Sequence, residues 1–238
     1  MSRQTYSLFD VAPGAARSRM NTIGMDFNRL PITLHPWTIT SVNGTVTLQN
    51  LGGRACIGIA GAGAATDGNN YCQAAASHRF VAGKQTRFAF SVRNADATNH
   101  AWVCGFNILS TTITANMESG GTPSTDFLLI HKLSGSLIPR LRTRKASGTA
   151  ETVALGLTHA NDTWVDYDVV VQPDASVSGT ALVKVYASVA LAAPTLVLAT
   201  ATSMCPDSVS TGLVFGCLEG DTGTDSTYFG HCWAEQEL

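Results

Sequence analysis

The stretch TRFAFSVR, Thr86 to Arg93, sets Phe88, Phe90 and Val92 on one side of an extended chain and Arg87, Ala89, Ser91 and Arg93 on the other. Side chains of a strand point alternately to its two faces, so this pattern predicts a half-buried strand. The same signature recurs outward in both directions. Asn94–Asn99 reads as a turn, and His100–Leu109 resumes with Trp102, Cys104 and Phe106 in register. Upstream, TITSVNGTVTLQNL sets Asn43-Gly44 between two β-branched runs, which predicts a hairpin. Residues 54–59 (RACIGI) read as a further strand, ended by the small-residue stretch Gly61–Asn70.

Downstream, Thr111–Thr125 is polar and glycine-rich and reads as a long surface loop. Phe127–Lys132 and Ser136–Arg144 are predicted to form a hairpin around Ser134-Gly135. Short strands follow at Thr152–Leu157, Trp164–Gln172, Ala181–Ser188, Thr195–Ala199, Gly212–Glu219 and Thr227–Trp233. This series carries no sustained 3.6-residue period, and it predicts an all-β fold of two antiparallel sheets packed as a sandwich.

The first 36 residues, MSRQTYSLFDVAPGAARSRMNTIGMDFNRLPITLHP, fit no regular element. The chain therefore divides into an extended N-terminal arm, 1–36, and a β-sandwich domain, 37–238. Hydrophobic residues scattered along the arm require cover, and an arm with such anchors on a β-domain suits a protein that assembles with others. Tyr6, Leu8, Phe9, Ile23, Met25 and Phe27 are the expected arm anchors, with Arg17, Arg19 and Arg29 pairing with acidic groups of a partner.

Charged residues make up 13% of the 238-residue chain, against about 25% in ordinary soluble domains. A surface so poor in charge is either neutral and polar or covered by partners. No apolar run approaches the roughly 18–20 residues that span a bilayer. Arg3, Asp10, Arg17 and Arg19 interrupt any signal-peptide core, so folding in a cytoplasm and no membrane contact are expected. Six cysteines, at 56, 72, 104, 205, 217 and 232, then read as free buried thiols, and no CxxC suggests zinc. Charge is unevenly placed: residues 1–145 carry fourteen Lys and Arg against six Asp and Glu, and residues 146–238 one against eleven. Such asymmetry can mark nucleic-acid contact or head-to-tail packing between subunits, but in a single β-domain the two halves interleave in space, which is the simpler reading.

GIAGAG (58–63) lacks the Lys-Ser/Thr and the βαβ context of a phosphate loop, and reads as a flexible turn. Arg140, Arg142 and Arg144 alternate on one strand and form a possible basic face for phosphate, sulfated glycan or an acidic neighbour. No aromatics flank them for base stacking, so nucleic acid is disfavoured. Asp166 and Asp168 share a strand face, a pairing that could serve glycoside hydrolysis or calcium, but outward acids on a sheet are the simpler reading. Glu219, Asp221 and Asp225 read as an acidic turn. The histidines are scattered, no Gly-x-Ser-x-Gly occurs, and His231 reads as packing between Phe229 and Trp233 on one strand face. No catalytic residue, metal site or cofactor is predicted.

The order of these strands carries a resemblance. KQTRFAFSVR (84–93), AWVCGF (101–106), FLLIHK (127–132) with a glycine turn, NDTWVDYDVVV (161–171) and ALVKVYA (181–187) resemble, in that order, the concanavalin-A-like jelly-roll domains in virion proteins of tailed bacteriophages. Closing strands at Gly212–Glu219 and Tyr228–Trp233 fit the same plan, and the resemblance spans about Gly83 to Trp233. The Asn-Gly turn usual after the fifth of these strands is replaced by SVAL (188–191). The resemblance implies a jelly-roll sandwich in a structural virion protein: a capsid decoration or cement subunit, or a head-fibre component, assembled in the host cytoplasm. The implied partners are the major capsid protein or other virion subunits and further copies of the chain, with a trimer favoured. A surface glycan is the alternative ligand, in a lectin-like receptor module with exposed aromatics such as Tyr71 or Tyr228. A glycanase is the least expected, since its Glu-x-Asp-x-x-Glu acids and the metal ligands of legume-type lectins are not at matching positions.

Overall fold

A computed structural model describes residues 20–25, 37–41, 44–51, 53–61, 70–74, 76, 78–108, 125–219 and 226–237. These residues form two antiparallel sheets and, among them, no helix. The larger sheet runs in spatial order β13 (Thr195–Thr202), β12 (Ala181–Val189), β11 (Val165–Pro173), β6 (Thr86–Asn94), β15 (Ser226–Glu237), β4 (Arg54–Gly61) and β3 (Gly44–Leu51). An eighth strand, β1 (Met20–Met25), pairs with the second half of β15, from Cys232 to Glu237, while β4 pairs with the first half. The smaller sheet runs β10 (Glu151–Ala154), β9 (Arg140–Arg144), β8 (Phe127–Lys132), β7 (His100–Asn107), β14 (Gly212–Glu219), β5 (Asn70–Ala74) and β2 (Trp37–Thr40). The architecture is the jelly-roll sandwich expected.

The core lies between the sheets and follows the alternation read from the sequence. Phe88, Phe90, Val92, Val165, Tyr167, Val169 and Val171 come from the larger sheet and meet Trp102, Cys104, Phe106, Leu128, Ile130 and Phe215 of the smaller one. The Phe90 and Tyr167 rings stack at 4.7 Å, and Phe90 meets Trp102 edge-on at 5.8 Å. The Tyr167 hydroxyl is satisfied by His159 Nε2 at 2.6 Å, as a buried phenol must be.

Three expectations are corrected. The Asn43-Gly44 cue does not make a hairpin: β2 pairs with β5 in the smaller sheet, while β3 pairs with β4 in the larger. The chain crosses between sheets there, because β3 finds its partner through the next turn, where Gly53 takes φ +81°. The leader is not wholly irregular, since Met20–Met25 forms β1. The small-residue stretch Gly61–Asn70 runs into a strand that the sequence did not signal, β5 (NYCQA), which is short and polar at one end and gives little periodic pattern.

The β12–β13 connection keeps the tight turn that the resemblance implies, although its Asn-Gly is missing. Ala190 and Leu191 adopt φ +51° and +68°, and Ala192 N–H donates to Val189 O at 2.9 Å. Two successive left-handed residues are the geometry of a type I′ hairpin turn, which ordinarily selects Asn and Gly.

The order of strands has a further property. Residues 37–74 supply β2 to β5, and residues 86–202 supply β6 to β13. In each sheet these two blocks are separated by one late strand, β14 in the smaller and β15 in the larger.

Candidate functional site

The outer face of the smaller sheet is built by its register. One row across the strands reads Arg140, His131, Val103, Gly216, Tyr71 and Thr40. The next reads Thr152, Arg142, Leu129, Gly105, Val214, Gln73 and Thr38. This face is not a wet one. Tyr71, Val103, Phe127, Leu129 and Val214 form a second buried apolar cluster on it, and β7 and β8 are buried along their whole length. The continuous apolar run FLLI at the start of β8 is the signal for burial on both faces.

His131 lies on the same face, 2% exposed, and neither ring nitrogen has a hydrogen-bond partner among the described residues. Burial, with the guanidiniums of Arg142 and Arg140 adding to it, lowers its pKa to about 3, so the imidazole is neutral. Arg142 lies with its guanidinium carbon 5.8 Å from the Phe127 ring centre. The three arginines of the expected basic face thus divide. Arg140 and Arg142 flank His131, whereas Arg144 turns to the sheet end and donates to the carbonyls of Gly148 at 2.8 Å and Ser147 at 3.1 Å. All three are half-buried rather than solvated.

The outer face of the larger sheet is of another kind. Arg54 grips Asp166 through two hydrogen bonds, at 2.7 and 3.1 Å, and its guanidinium lies 5.1 Å from the Trp164 ring. Arg87 grips Asp168 at 2.7 and 2.5 Å, approaches Glu235 at 3.7 Å and covers Trp233. Arg93 meets Asp162 at 2.7 Å over the Tyr228 ring. Three basic residues from the first part of the chain here meet acids from the second part, so the two halves of the charge asymmetry interleave within the domain.

The same face gathers Ser91, His231 and Asp166, which no spacing in the sequence could bring together. A β-bulge does this: Phe229 pairs with Val92 and Cys232 with Phe90, so Gly230 and His231 together oppose Ser91. The bulge also corrects the strand reading of His231. Phe229 and Cys232 point inward, fully buried, while His231 and Trp233 are half-buried. Gly230 is needed there, since a Cβ would lie 3.2 Å from both Ser91 and the Trp164 ring. The trio is not a nucleophilic triad. Ser91 Oγ donates to Asp166 Oδ1 and shares a 2.7 Å hydrogen bond with His231 Nδ1. A triad needs the imidazole to take the serine proton and the carboxylate to orient the imidazole. Here the carboxylate holds the serine itself. Burial works against ionisation of Asp166, yet the Arg54 and Ser91 hydrogen bonds hold its pKa below its ordinary value.

All six cysteines are free and buried. Cys104 and Cys232, from opposite sheets, bring their sulfurs to 3.5 Å. Burial pushes the Cys72 thiol up to about 12 and raises Cys104 as well. Among the described residues no group of three or more His, Cys, Asp or Glu is placed to hold a metal ion. Of the arm anchors, Ile23 and Met25 fall on β1, opposite Ala234 and Cys232. Tyr6, Leu8, Phe9, Arg17, Arg19, Phe27 and Arg29 lie outside the described residues, as do Asp221 and Asp225 of the acidic turn. Of the two tyrosines considered for a glycan, Tyr71 is buried and Tyr228 is half-buried beneath Arg93.

No protein-family model matches the chain, and no curated protein matches it in sequence. Its fold is similar to that of solved structures. The CBM2 module of the evolved Dit of Lactobacillus casei BL23 phage J-1 aligns with a TM-score of 0.53 and 9% identity, over 91% of this chain and 96% of that one. Peanut lectin aligns with a TM-score of 0.53 and 11% identity, over 93% and 98%. The endo-β-1,4-glucuronan lyase of the fungus Trichoderma reesei aligns with a TM-score of 0.53 and 10% identity, over 84% and 87%. At such identities the likeness establishes a lectin-type jelly-roll fold.

Proposed function

We propose that the chain is a non-enzymatic carbohydrate-recognition subunit of a bacteriophage particle. The observation that carries this reading is the state of its carboxylates. Asp162, Asp166 and Asp168 are gripped by arginines, Asp207 by Lys145 at 2.5 Å, and Glu151 by the hydroxyls of Ser203 and Thr202. A glycosidase needs one carboxylic acid kept protonated beside a second carboxylate, whereas here, against the opposing effect of burial, hydrogen bonds from Arg54 and Ser91, from Lys145, and from Ser203 and Thr202 hold Asp166, Asp207 and Glu151 below their ordinary values. The fold is then suited to holding a glycan rather than cutting it. The end-to-end likeness to a phage CBM2 module and to a lectin supports the same reading. Incubation of the protein with a glycan array and with host envelope polysaccharides is the test. Retention without new chain ends is expected, and release of reducing or unsaturated ends would overturn the proposal.

A second reading has its own observation. β1 pairs with β15 along its main chain in the register given, which anchors residues 20–25 of the arm to the larger sheet. That arrangement suits a capsid decoration or cement subunit, a trimer with its arm on the major capsid protein or a neighbouring copy. Deleting residues 1–19, which spares β1, is expected to leave a folded protein that no longer joins particles. Unchanged incorporation of the truncated chain would remove this reading, and copy number per particle separates it from the first: hundreds for a cement protein, few for a receptor module.

A further inference from the structure

We propose that Cys104 and Cys232 form a redox lock: two free thiols while the protein stands in a reducing compartment, and an inter-sheet disulfide once the medium is oxidising. The inference depends on neither reading of the function above.

Reach is the first observation. Cys104 belongs to β7, in the middle of the smaller sheet, and Cys232 to β15 of the larger. Their sulfurs stand 3.5 Å apart across the core, although 128 positions separate them in the chain. A disulfide bond is about 2.05 Å long, so each sulfur has to travel only about 0.7 Å, a small turn about its own χ1. A cystine between facing sheets is compatible with a sandwich, as antibody domains show.

Access is the second. Both sulfurs are fully buried, and burial raises the Cys104 thiol well above its ordinary value. Neither meets an oxidant in the closed sandwich, since the thiolate is the reactive form. The fold supplies the place for opening, because both ladders of β15 break beside Cys232. Toward β6, Phe229 pairs with Val92 and Cys232 with Phe90, and the bulge Gly230-His231 lies between. On the other flank β4 pairs with β15 only as far as Phe229, and β1 begins at Cys232, opposite Met25. A strand interrupted at one point on both sides opens there for less than the cost of unfolding the domain.

The chemistry is thiol–disulfide exchange with a small-molecule disulfide such as oxidised glutathione. In the opened strand the Cys232 thiolate attacks one glutathione sulfur, forms a mixed disulfide and expels the other glutathione as a thiolate. As β15 returns, the Cys104 thiolate attacks Cys232 Sγ and expels the second glutathione. Two protein thiols thus give up two protons and two electrons, and one small disulfide becomes two thiols. The product fastens the last strand of the chain to the opposite sheet. Closing so long a loop removes freedom from the unfolded chain, and a reducing glutathione pool keeps the pair open.

The test starts from the full chain purified under reducing conditions. It is transferred, still folded, into oxidised glutathione, then alkylated, digested and mapped by mass, and a parallel sample is melted. A Cys104–Cys232 cross-linked peptide is expected, with a melting temperature raised by on the order of 5–10 °C and restored by dithiothreitol. Cys104→Ala and Cys232→Ala should each abolish the rise, and Cys56→Ala should keep it. The rise is read between oxidised and reduced samples of one variant, so lost core packing does not imitate it. Alkylation of all six cysteines after oxidation overturns the inference, as does a bond from Cys232 to Cys72 or to any other cysteine. A Cys104–Cys232 bond that lowers the melting temperature overturns it too, because it would then strain the sandwich instead of locking it.

Discussion

The two outer faces of this sandwich are made from similar residues and end in opposite conditions. On the larger sheet, each arginine finds a carboxylate and an aromatic ring within its own chain. On the smaller sheet, half-buried arginines and a buried histidine lie beside an apolar cluster, and the histidine ring has no hydrogen-bond partner among the described residues. Composition does not separate them, since both carry Arg, His and aromatic side chains. The separation comes from which cross-strand partner each residue meets. One face is completed by ion pairs within the fold, and the other by apolar packing.

The largest expected effect comes from Gly105, at the centre of the smaller sheet. It holds φ +146°, and an added Cβ would collide with the Leu128 carbonyl and stand 2.9 Å from Leu129 Cα. Both obstacles are backbone, so Gly105→Ala should cost roughly 3 kcal/mol or more in chemical denaturation. Gly230→Ala on the opposite face meets only side chains and should cost about 1 kcal/mol. Equal losses would show that the smaller sheet is no more rigid than the larger.

Acid is the next lever. Burial lowers His78 to about 4 and His131 and His159 to about 3, far below the unfolded value near 6.5. The unfolded chain then binds more protons, so stability is full above pH 6.5 and falls as pH drops toward 4 and 3. The limiting slope is about 1.4 kcal/mol per pH unit for each histidine. Denaturant midpoints across that range measure it, and His131→Leu should remove about one histidine's share. A flat profile would mean that these imidazoles charge as easily folded as unfolded.

Within the larger sheet, Asp168→Asn should cost about 2–3 kcal/mol, because Arg87 and Asp168 are 12% and 8% exposed and the guanidinium would lose its two-bonded carboxylate, keeping Glu235 at 3.7 Å. Arg93→Ala should cost at most about 0.5 kcal/mol, since its partner Asp162 is 64% exposed. A double-mutant cycle on each pair checks the contrast. In the opposite direction, replacing Ala190-Leu191 by Asn-Gly should raise stability by about 1 kcal/mol, relieving two left-handed residues without Asn or Gly chemistry. A loss there would show that Leu191, 76% exposed, has an unseen contact.

Much of the fold is legible in local pattern. Thr86–Arg93 alternates as read, with Phe88, Phe90 and Val92 fully buried. The pattern fails where the signal is not local. Asn43-Gly44 specifies a turn but not which sheet its flanks enter, and the short β5 owes its place to β14. The polar sites were less legible still. Arg54 and Asp166 lie 112 positions apart and Ser91 and His231 lie 140 apart, so only the register of β6, β11 and β15 unites them. The Arg140–Arg144 row was visible, but its burial was not, because strand alternation says nothing about what packs on the second face.

The placement of β14 and β15 also bears on how the protein is made. Synthesis delivers residues 37–74 first and 86–202 next, yet within each sheet these blocks touch only through the two strands that emerge last. Until then the growing polypeptide holds four naked ladder edges, on β4, β5, β6 and β7, and a core open along its middle. Such a chain cannot close progressively. It is wedged shut only once β14 and β15 have emerged, slowly, as long-range pairings require. Premature termination before Gly212 would leave not a smaller sandwich but two unjoined halves, each prone to pair with the halves of its neighbours.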